Sequence, residues 1–308
     1  MRIIFCGTSS FAVPSLEQLI SREHTVVSCV TQPDRPRGRG LRLEPSAVKQ
    51  AALRLRLPLV QPERLTRAMC EPLHADVGVV MAYGQLIGHE LLTLPRHGMI
   101  GVHPSLLPAY RGAAPVAWAL LNGETTTGVT IFRLSERLDA GEIIFRRPVS
   151  ILPEEHADAL TERLAHLGAE DLLRALEALA RGQGVFEPQD ESRATFAPKL
   201  TKAQGRIDWR TPAESVVRLV RATTPWPGAA TEWQGQPFRI WAASPAEAAA
   251  SREVTPGTIV QVMPQALAVA AGKGTVIVTE VQPQGRRRMS VQEFLAGHRV
   301  TVGEQLGE

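Results

Sequence analysis

One histidine has a setting that could do chemistry. His103 ends the apolar run GMIGVH (98–103) and is followed at once by Pro104 and the loop SLLPAYRG (105–112). The run predicts a buried strand with the imidazole at its carboxyl end, the edge where open α/β sheets bind ligands. An imidazole there suits proton transfer near neutral pH. The other histidines, His24, His74, His89, His97, His156, His166 and His298, are scattered without partners and read as surface or packing residues. A second cluster is cationic: DRPRGRGLR (34–42) holds Arg35, Arg37, Arg39 and Arg42 among glycines and prolines. Arginine can fork onto phosphates and stack on flat rings, but a charge run is usually only a solvated face. Cys6, Cys29 and Cys70 are odd in number and lack CxxC spacing, which argues against a disulfide framework or a zinc site. GTSSF (7–11) follows the first strand, but its spacing is not GxGxxG and no acidic residue ends the next strand near Val30. A nicotinamide dinucleotide is therefore not expected there, and the stretch reads as a tight strand-to-helix turn.

The elements that must position these residues alternate. RIIFC (2–6) reads as a strand, 13–22 as a helix and HTVVSCV (24–30) as a strand. That order, with short connections, predicts a parallel sheet. A Pro/Gly/Arg loop fills 31–45, and Ser46 precedes a helix. ADVGVVMA (75–82) is a further strand, 113–121 a helix with proline near its start, and 126–134 and 142–150 are two strands joined by a loop. Leucines at 160, 164, 167, 172, 173, 176 and 179 mark a long amphipathic helix over 156–181. Residues 183–205 are polar, with Gly184, Pro188 and Pro198, and read as a linker. A short helix fits 212–223. Past Pro225, short β-rich segments alternate with turns, as in a small barrel or sandwich.

The fold class expected is α/β: a Rossmann-like, mostly parallel sheet over 1–182, the linker 183–205, and a small barrel domain over 206–308. With 308 residues, 44% of them hydrophobic, the chain can bury a sizeable core, so disorder is not expected. The net charge of +3 selects no partner by itself. Of the 34 basic residues, thirty are arginine and four lysine, a habit of composition except where the arginines cluster. No apolar stretch approaches the 18 residues of a membrane span. The N-terminus reads as a strand rather than a signal peptide, so a cytoplasmic location is expected.

The motif GVHPSLLPAYRG (101–112), followed by LDAGE (138–142), resembles the folate-dependent formyltransferases, whose hallmark is N-x-H-x-S-L-L-P with a later L-D-x-G. The likeness extends through 2–19, 31–52, 80–87, 111–134, 199–209, 225–229 and 282–297, nearly the whole chain. It is greatest toward the branch that formylates methionyl-tRNA. The resemblance implies that His103 faces the formyl group and that Asp139 pairs with it; by composition alone Asp139 would be a turn residue. It implies folate contacts at Ser105, Leu106, Leu107 and Pro108, with a second wall of the pterin pocket at Tyr83, Gly84, Leu86 and Ile87. It makes 10-formyltetrahydrofolate the formyl-donor substrate, requires no metal, and places Arg35, Arg37, Arg39 and Arg42 on the acceptor arm of the initiator methionyl-tRNA. It also implies an oligonucleotide-binding-like barrel at the carboxyl end, where Arg286, Arg287 and Arg288 are as readily solvated as bound to RNA. A monomer that binds no membrane is expected.

One position departs from the pattern. Gly101 stands where the family has asparagine, on the same side of the strand as His103. An amide there would donate to the formyl oxygen, and losing one such donor typically costs about 2.7–4 kcal/mol. A water or another donor filling the vacated space would compensate. Otherwise the chain is a weakened transferase, a hydrolase of 10-formyltetrahydrofolate, or a non-catalytic folate or tRNA binder. A transferase acting on an amino-sugar nucleotide fits the arginine loop less well.

Overall fold

Short apolar strands separated by helices must pair through crossovers, and the first part of the chain does so. The computed structural model describes residues 1–22, 24–37, 42–246 and 254–307. A seven-stranded sheet is built from β1 (Arg2–Gly7), β2 (Thr25–Val30), β3 (Leu59–Val60), β4 (Val77–Met81), β5 (Met99–His103), β6 (Thr126–Arg133) and β7 (Ile143–Ser150). Their order is β3-β2-β1-β4-β5-β6-β7. The first five are parallel, and β6 and β7 add antiparallel at one edge. This is the doubly wound order with its switch point between β1 and β4. β1 and β5 are buried almost throughout, which is why they read as unbroken apolar runs.

The expected helices are present at Val13–Ser21, Ala47–Arg54, Pro115–Leu121, Ala157–Ala180 and Ala213–Thr223. Ser46 caps the second of these, its hydroxyl accepting from the Lys49 amide at 3.0 Å. The Pro/Gly/Arg stretch read as a loop contains a small antiparallel pair, Arg35–Arg37 with Arg42–Glu44. Alternating proline and arginine hides such a pair from hydrophobic patterning.

The chain divides into two compact units. Unit 1 comprises residues 1–115, 126–150 and 161–198, and unit 2 residues 116–125, 151–160 and 199–308. The stretch expected to be a linker is thus folded onto unit 1 as far as Pro198. Its residues Phe196–Ala197 pair in parallel with Arg111–Gly112. In unit 2, strands β8 (Ala229–Trp233), β9 (Gln236–Ala246), β10 (Ile259–Met263), β11 (Ala266–Ala270) and β12 (Thr275–Pro283) form an antiparallel sheet ordered β8-β9-β12-β11-β10. Its core includes Trp209, Val216, Val220, Phe238, Val278 and Phe294.

Candidate active site

His103 stands at the carboxyl end of β5, nearly buried at 6% exposure. Its Nε2 lies 2.8 Å from the carbonyl oxygen of Tyr110. A carbonyl only accepts, so Nε2 carries the hydrogen and Nδ1 is the nitrogen left to take or hold a proton. Nδ1 faces Asp139, with Oδ2 at 3.7 Å, an ion-pair distance longer than a hydrogen bond. Oδ2 also accepts from the Gly112 amide at 2.8 Å. The two residues the resemblance paired, 36 positions apart in sequence, therefore meet beside one sheet edge.

The backbone around them is forced. Ala82 after β4, Tyr110 in the loop after β5, and Asp139 all take positive φ, at 43°, 61° and 50°. Left-handed backbone costs an L-residue roughly 1–2 kcal/mol, and it clusters at functional sites where surrounding contacts over-determine it. For Tyr110 and Asp139 such contacts come from the supposed linker. Thr195 Oγ1 accepts from the Tyr110 amide at 2.9 Å, and the Thr195 carbonyl accepts from the Arg111 amide at 2.9 Å. Gly112 has φ of 122°, and a methyl group there would lie 2.7 Å from the Ala197 carbonyl oxygen, so glycine is required for the close approach.

Gly101 leaves no vacancy. It is the cross-strand partner of Phe132, and a Cβ at 101 would sit 2.5 Å from Phe132 Cε1 and 3.0 Å from Leu134 Cδ1. The Phe132 ring, 4% exposed, fills that space and meets His103 edge-on with centroids 6.5 Å apart. Beside the backbone of residue 101, the room for a side chain is occupied by an aromatic ring.

The expected folate segment takes several roles. Ser105 is buried and its hydroxyl donates to the Ala109 carbonyl at 2.6 Å, closing the loop on itself. Thr130 Oγ1 donates to the Ser105 carbonyl at 2.7 Å and accepts from the Leu107 amide at 3.1 Å. Leu107 is a core anchor packed with Phe132 and Ile143, whereas Leu106 is half-buried and Pro108 buried. On the second loop, Tyr83 is buried, and its carbonyl accepts from Thr8 Oγ1 at 2.7 Å and Gln32 Nε2 at 2.9 Å, joining the ends of β1, β2 and β4. Burial pushes the Tyr83 phenol up to about 12. Gly84 is exposed with φ of 80°, Ile87 is half-buried, and Leu86 projects at 87% exposure. Of the two loops, Leu86 offers the most apolar surface to a ligand.

The arginine loop starts at the carboxyl end of β2. Asp34 is held by Lys49 at 2.5 Å and Gln61 at 2.8 Å, which fixes its root, and Arg35 is exposed. Arg37 and Arg42 lie on the paired strands, and Arg39 lies outside the described residues. In unit 2, Arg287 pairs with Glu293 and Arg288 with Glu280. The cysteines are buried, and burial pushes the thiols up, to about 12 for Cys29, which makes them packing groups rather than nucleophiles.

Sequence reasoning missed three side chains: Arg111, Gln189 and Glu191. Arg111 is 2% exposed and forks onto Gln189 Oε1 (3.1 and 2.7 Å) and the Glu191 carboxylate (3.1 and 2.9 Å). The signal was partial: an arginine inside a buried loop needs acceptors, and EPQDES (187–192) is one polar run able to supply them.

Comparison with known proteins gives the family. The formyl transferase model matches residues 1–176, and the formyl transferase C-terminal domain model matches 199–299. The chain belongs to the formyl transferase family. Among curated relatives, the methionyl-tRNA formyltransferase of Solibacter usitatus is 46% identical, spanning all of this chain and 99% of that protein. That of Geobacter metallireducens is 42% identical over the same shares. Among solved structures, HypX from Aquifex aeolicus in complex with tetrahydrofolic acid is 22% identical with a TM-score of 0.68, covering 98% of this chain and 50% of that one. Methionyl-tRNA formyltransferase from Clostridium thermocellum is 14% identical with a TM-score of 0.58, covering 81% of this chain and 95% of its own. At these identities the two structures speak for the fold of this formyl transferase: a mostly parallel α/β sheet followed by an antiparallel carboxyl-terminal sheet. No described helix is long and apolar enough to cross a membrane.

Proposed function

We propose that this chain transfers the formyl group of 10-formyltetrahydrofolate to the amino group of initiator methionyl-tRNA, in the cytoplasm where translation begins. The observation that carries the reading is the end-to-end likeness, at 42–46% identity, to proteins named for that activity. Hydrolysis and loss of catalysis, raised by Gly101 alone, have no comparable support.

The chemistry follows from the pair at the sheet edge. The methionyl amine attacks the formyl carbon, forming a C–N bond, and the bond from that carbon to N10 of the folate then breaks. The amine must lose a proton and N10 must gain one. His103 is built for both: its Nε2–H is committed to Tyr110, so Nδ1 takes the proton and returns it. Asp139, facing that Nδ1 at 3.7 Å, helps to relay the protons. Phe132 and Leu134 keep the neighbouring wall apolar, which strengthens electrostatic interactions inside the site. Ser105, Leu106, Leu107 and Pro108 form one wall for the folate, with Tyr83, Gly84, Leu86 and Ile87 forming the other. Backbone groups of the two loops supply hydrogen bonds, and Leu106 and Leu86 supply apolar cover, while Leu107 anchors the first loop in the core. No residue of this scheme requires a metal.

The loop that carries Arg35, Arg37, Arg39 and Arg42 receives the acceptor arm. The carboxyl-terminal sheet, read as an oligonucleotide-binding-like barrel, holds the RNA further along. The catalytic part takes in residues 1–198 apart from 116–125 and 151–160, and the barrel lies within 206–308, in a chain that works as a monomer. The test is purified protein with 10-formyltetrahydrofolate, with and without methionyl-tRNA, following formyl-methionyl-tRNA and formate separately. Product that appears only with tRNA supports transfer, and formate released without tRNA at a similar rate contradicts it.

A further inference from the structure

We propose that Arg111, Gln189 and Glu191 are positioning residues that hold Asp139 against His103 and so set kcat without touching either substrate. The proposal rests on the reading of His103 and Asp139 as the reacting pair. Its ground is a continuous relay of hydrogen bonds. Arg111 has only donors, so the Gln189 atom facing it at 2.7 and 3.1 Å must be the amide oxygen. That fixes the Gln189 nitrogen toward the catalytic loop, where it donates to the carbonyls of Asp139 at 2.9 Å and Gly141 at 2.7 Å. Both amide hydrogens are spent on the turn that carries the carboxylate. The next residue after Arg111 completes the grip, since the Gly112 amide donates to Asp139 Oδ2. Glu191 neutralises the buried guanidinium and is held in turn by Arg137 at 2.5 Å, two positions ahead of Asp139. The turn 137–141 is therefore clasped at both ends by residues 189 and 191.

The function of such a clasp is conformational. Asp139 sits at φ of 50°, and its Oδ2 to Nδ1 distance of 3.7 Å leaves little room for drift. Reacting groups displaced by about 1 Å can lose about a hundredfold in rate.

The decisive variant is Gln189→Glu. A carboxylate still accepts from Arg111, so the buried cation keeps its partners, but it cannot donate to the two carbonyls. The expected result, with 10-formyltetrahydrofolate and methionyl-tRNA, is a fall in kcat of roughly ten- to a hundredfold. KM for both substrates should stay within about threefold and the protein should remain folded by thermal melt at the assay temperature. Glu191→Gln keeps the shape and removes the charge; it should show the same split and serves if the first variant does not fold. Asp139→Asn is assayed alongside. If it loses activity while both clasp variants keep wild-type kcat, the clasp is refuted and the reacting pair stands. If a clasp variant raises KM at constant kcat, the residue binds substrate instead and the clasp is again refuted. If Asp139→Asn is fully active, the pair itself is wrong and the clasp falls with it.

Discussion

Replacing Gly101 by asparagine would install the residue that the N-x-H-x-S-L-L-P resemblance implies there, and the simple expectation is a faster enzyme. The packing around residue 101 argues the opposite for the single substitution. A Cβ there would lie 2.5 Å from Phe132 Cε1 and 2.8 Å from Cζ, and the ring is locked among Leu107, Ile143 and Leu134. Forcing a side chain into a filled core costs about 1–3 kcal/mol, so Gly101→Asn should be destabilised by that much and should not gain activity. Phe132→Ala alone should cost about 3–5 kcal/mol, because it empties the space. Together the two changes should be compensating, with the double variant more stable than the sum by about 1–3 kcal/mol. Only in that background can the amide enter the site, and there transfer should rise up to about a hundred- to a thousandfold over Phe132→Ala. Denaturant unfolding of the four proteins gives the coupling energy, and single-turnover formylation gives the rates. A Gly101→Asn protein within about 0.5 kcal/mol of wild type and about a hundredfold faster would refute the reasoning.

Other substitutions test other parts of the structure. Arg35→Ala with Arg42→Ala should raise KM for methionyl-tRNA and flatten its dependence on salt, by a slope of about one per lost phosphate contact, while leaving folate binding unchanged; titrations at several ionic strengths check this. Ser46→Ala removes the cap on the helix Ala47–Arg54 and the hydroxyl bonded to Thr31, and should lower stability by about 0.5–2 kcal/mol in thermal or urea melts. The Arg111 guanidinium, and then that of Arg137, hold the Glu191 carboxyl down at about 2, below its ordinary range near 4.5. Its contribution to stability is therefore full above the ordinary range and disappears as pH falls through about 2. Stability compared with Glu191→Gln from pH 7 downward should show a wild-type advantage that closes across that interval, and a constant difference would contradict the pairing.

Much of this architecture was legible because burial leaves a mark on composition. β1, β2, β4 and β5 are β-branched or apolar runs, and each lies where the runs predicted. His103 was readable as a strand end beside a proline. Asp139 was readable only through the LDAG resemblance, since a turn aspartate looks alike whether it faces solvent or an imidazole. Residues 183–198 were misread for a physical reason: the groups that satisfy a buried arginine are themselves polar, so Gln189, Glu191 and Thr195 carry the composition of a solvated linker. The filling of the Gly101 site was also invisible, because Phe132 is 31 residues away in sequence and meets it only through the pairing of β5 with β6. The register of antiparallel strands decides such contacts, and composition does not report it.

The most direct test of the central claim is single-turnover transfer by wild type, His103→Asn and Asp139→Asn, with saturating 10-formyltetrahydrofolate and methionyl-tRNA and with binding of both measured separately. The expected result is rapid formyl-methionyl-tRNA formation by wild type and a loss of about a hundred- to ten-thousandfold in the His103 variant at unchanged substrate affinity. A His103→Asn protein that transfers formyl at the wild-type rate would contradict it.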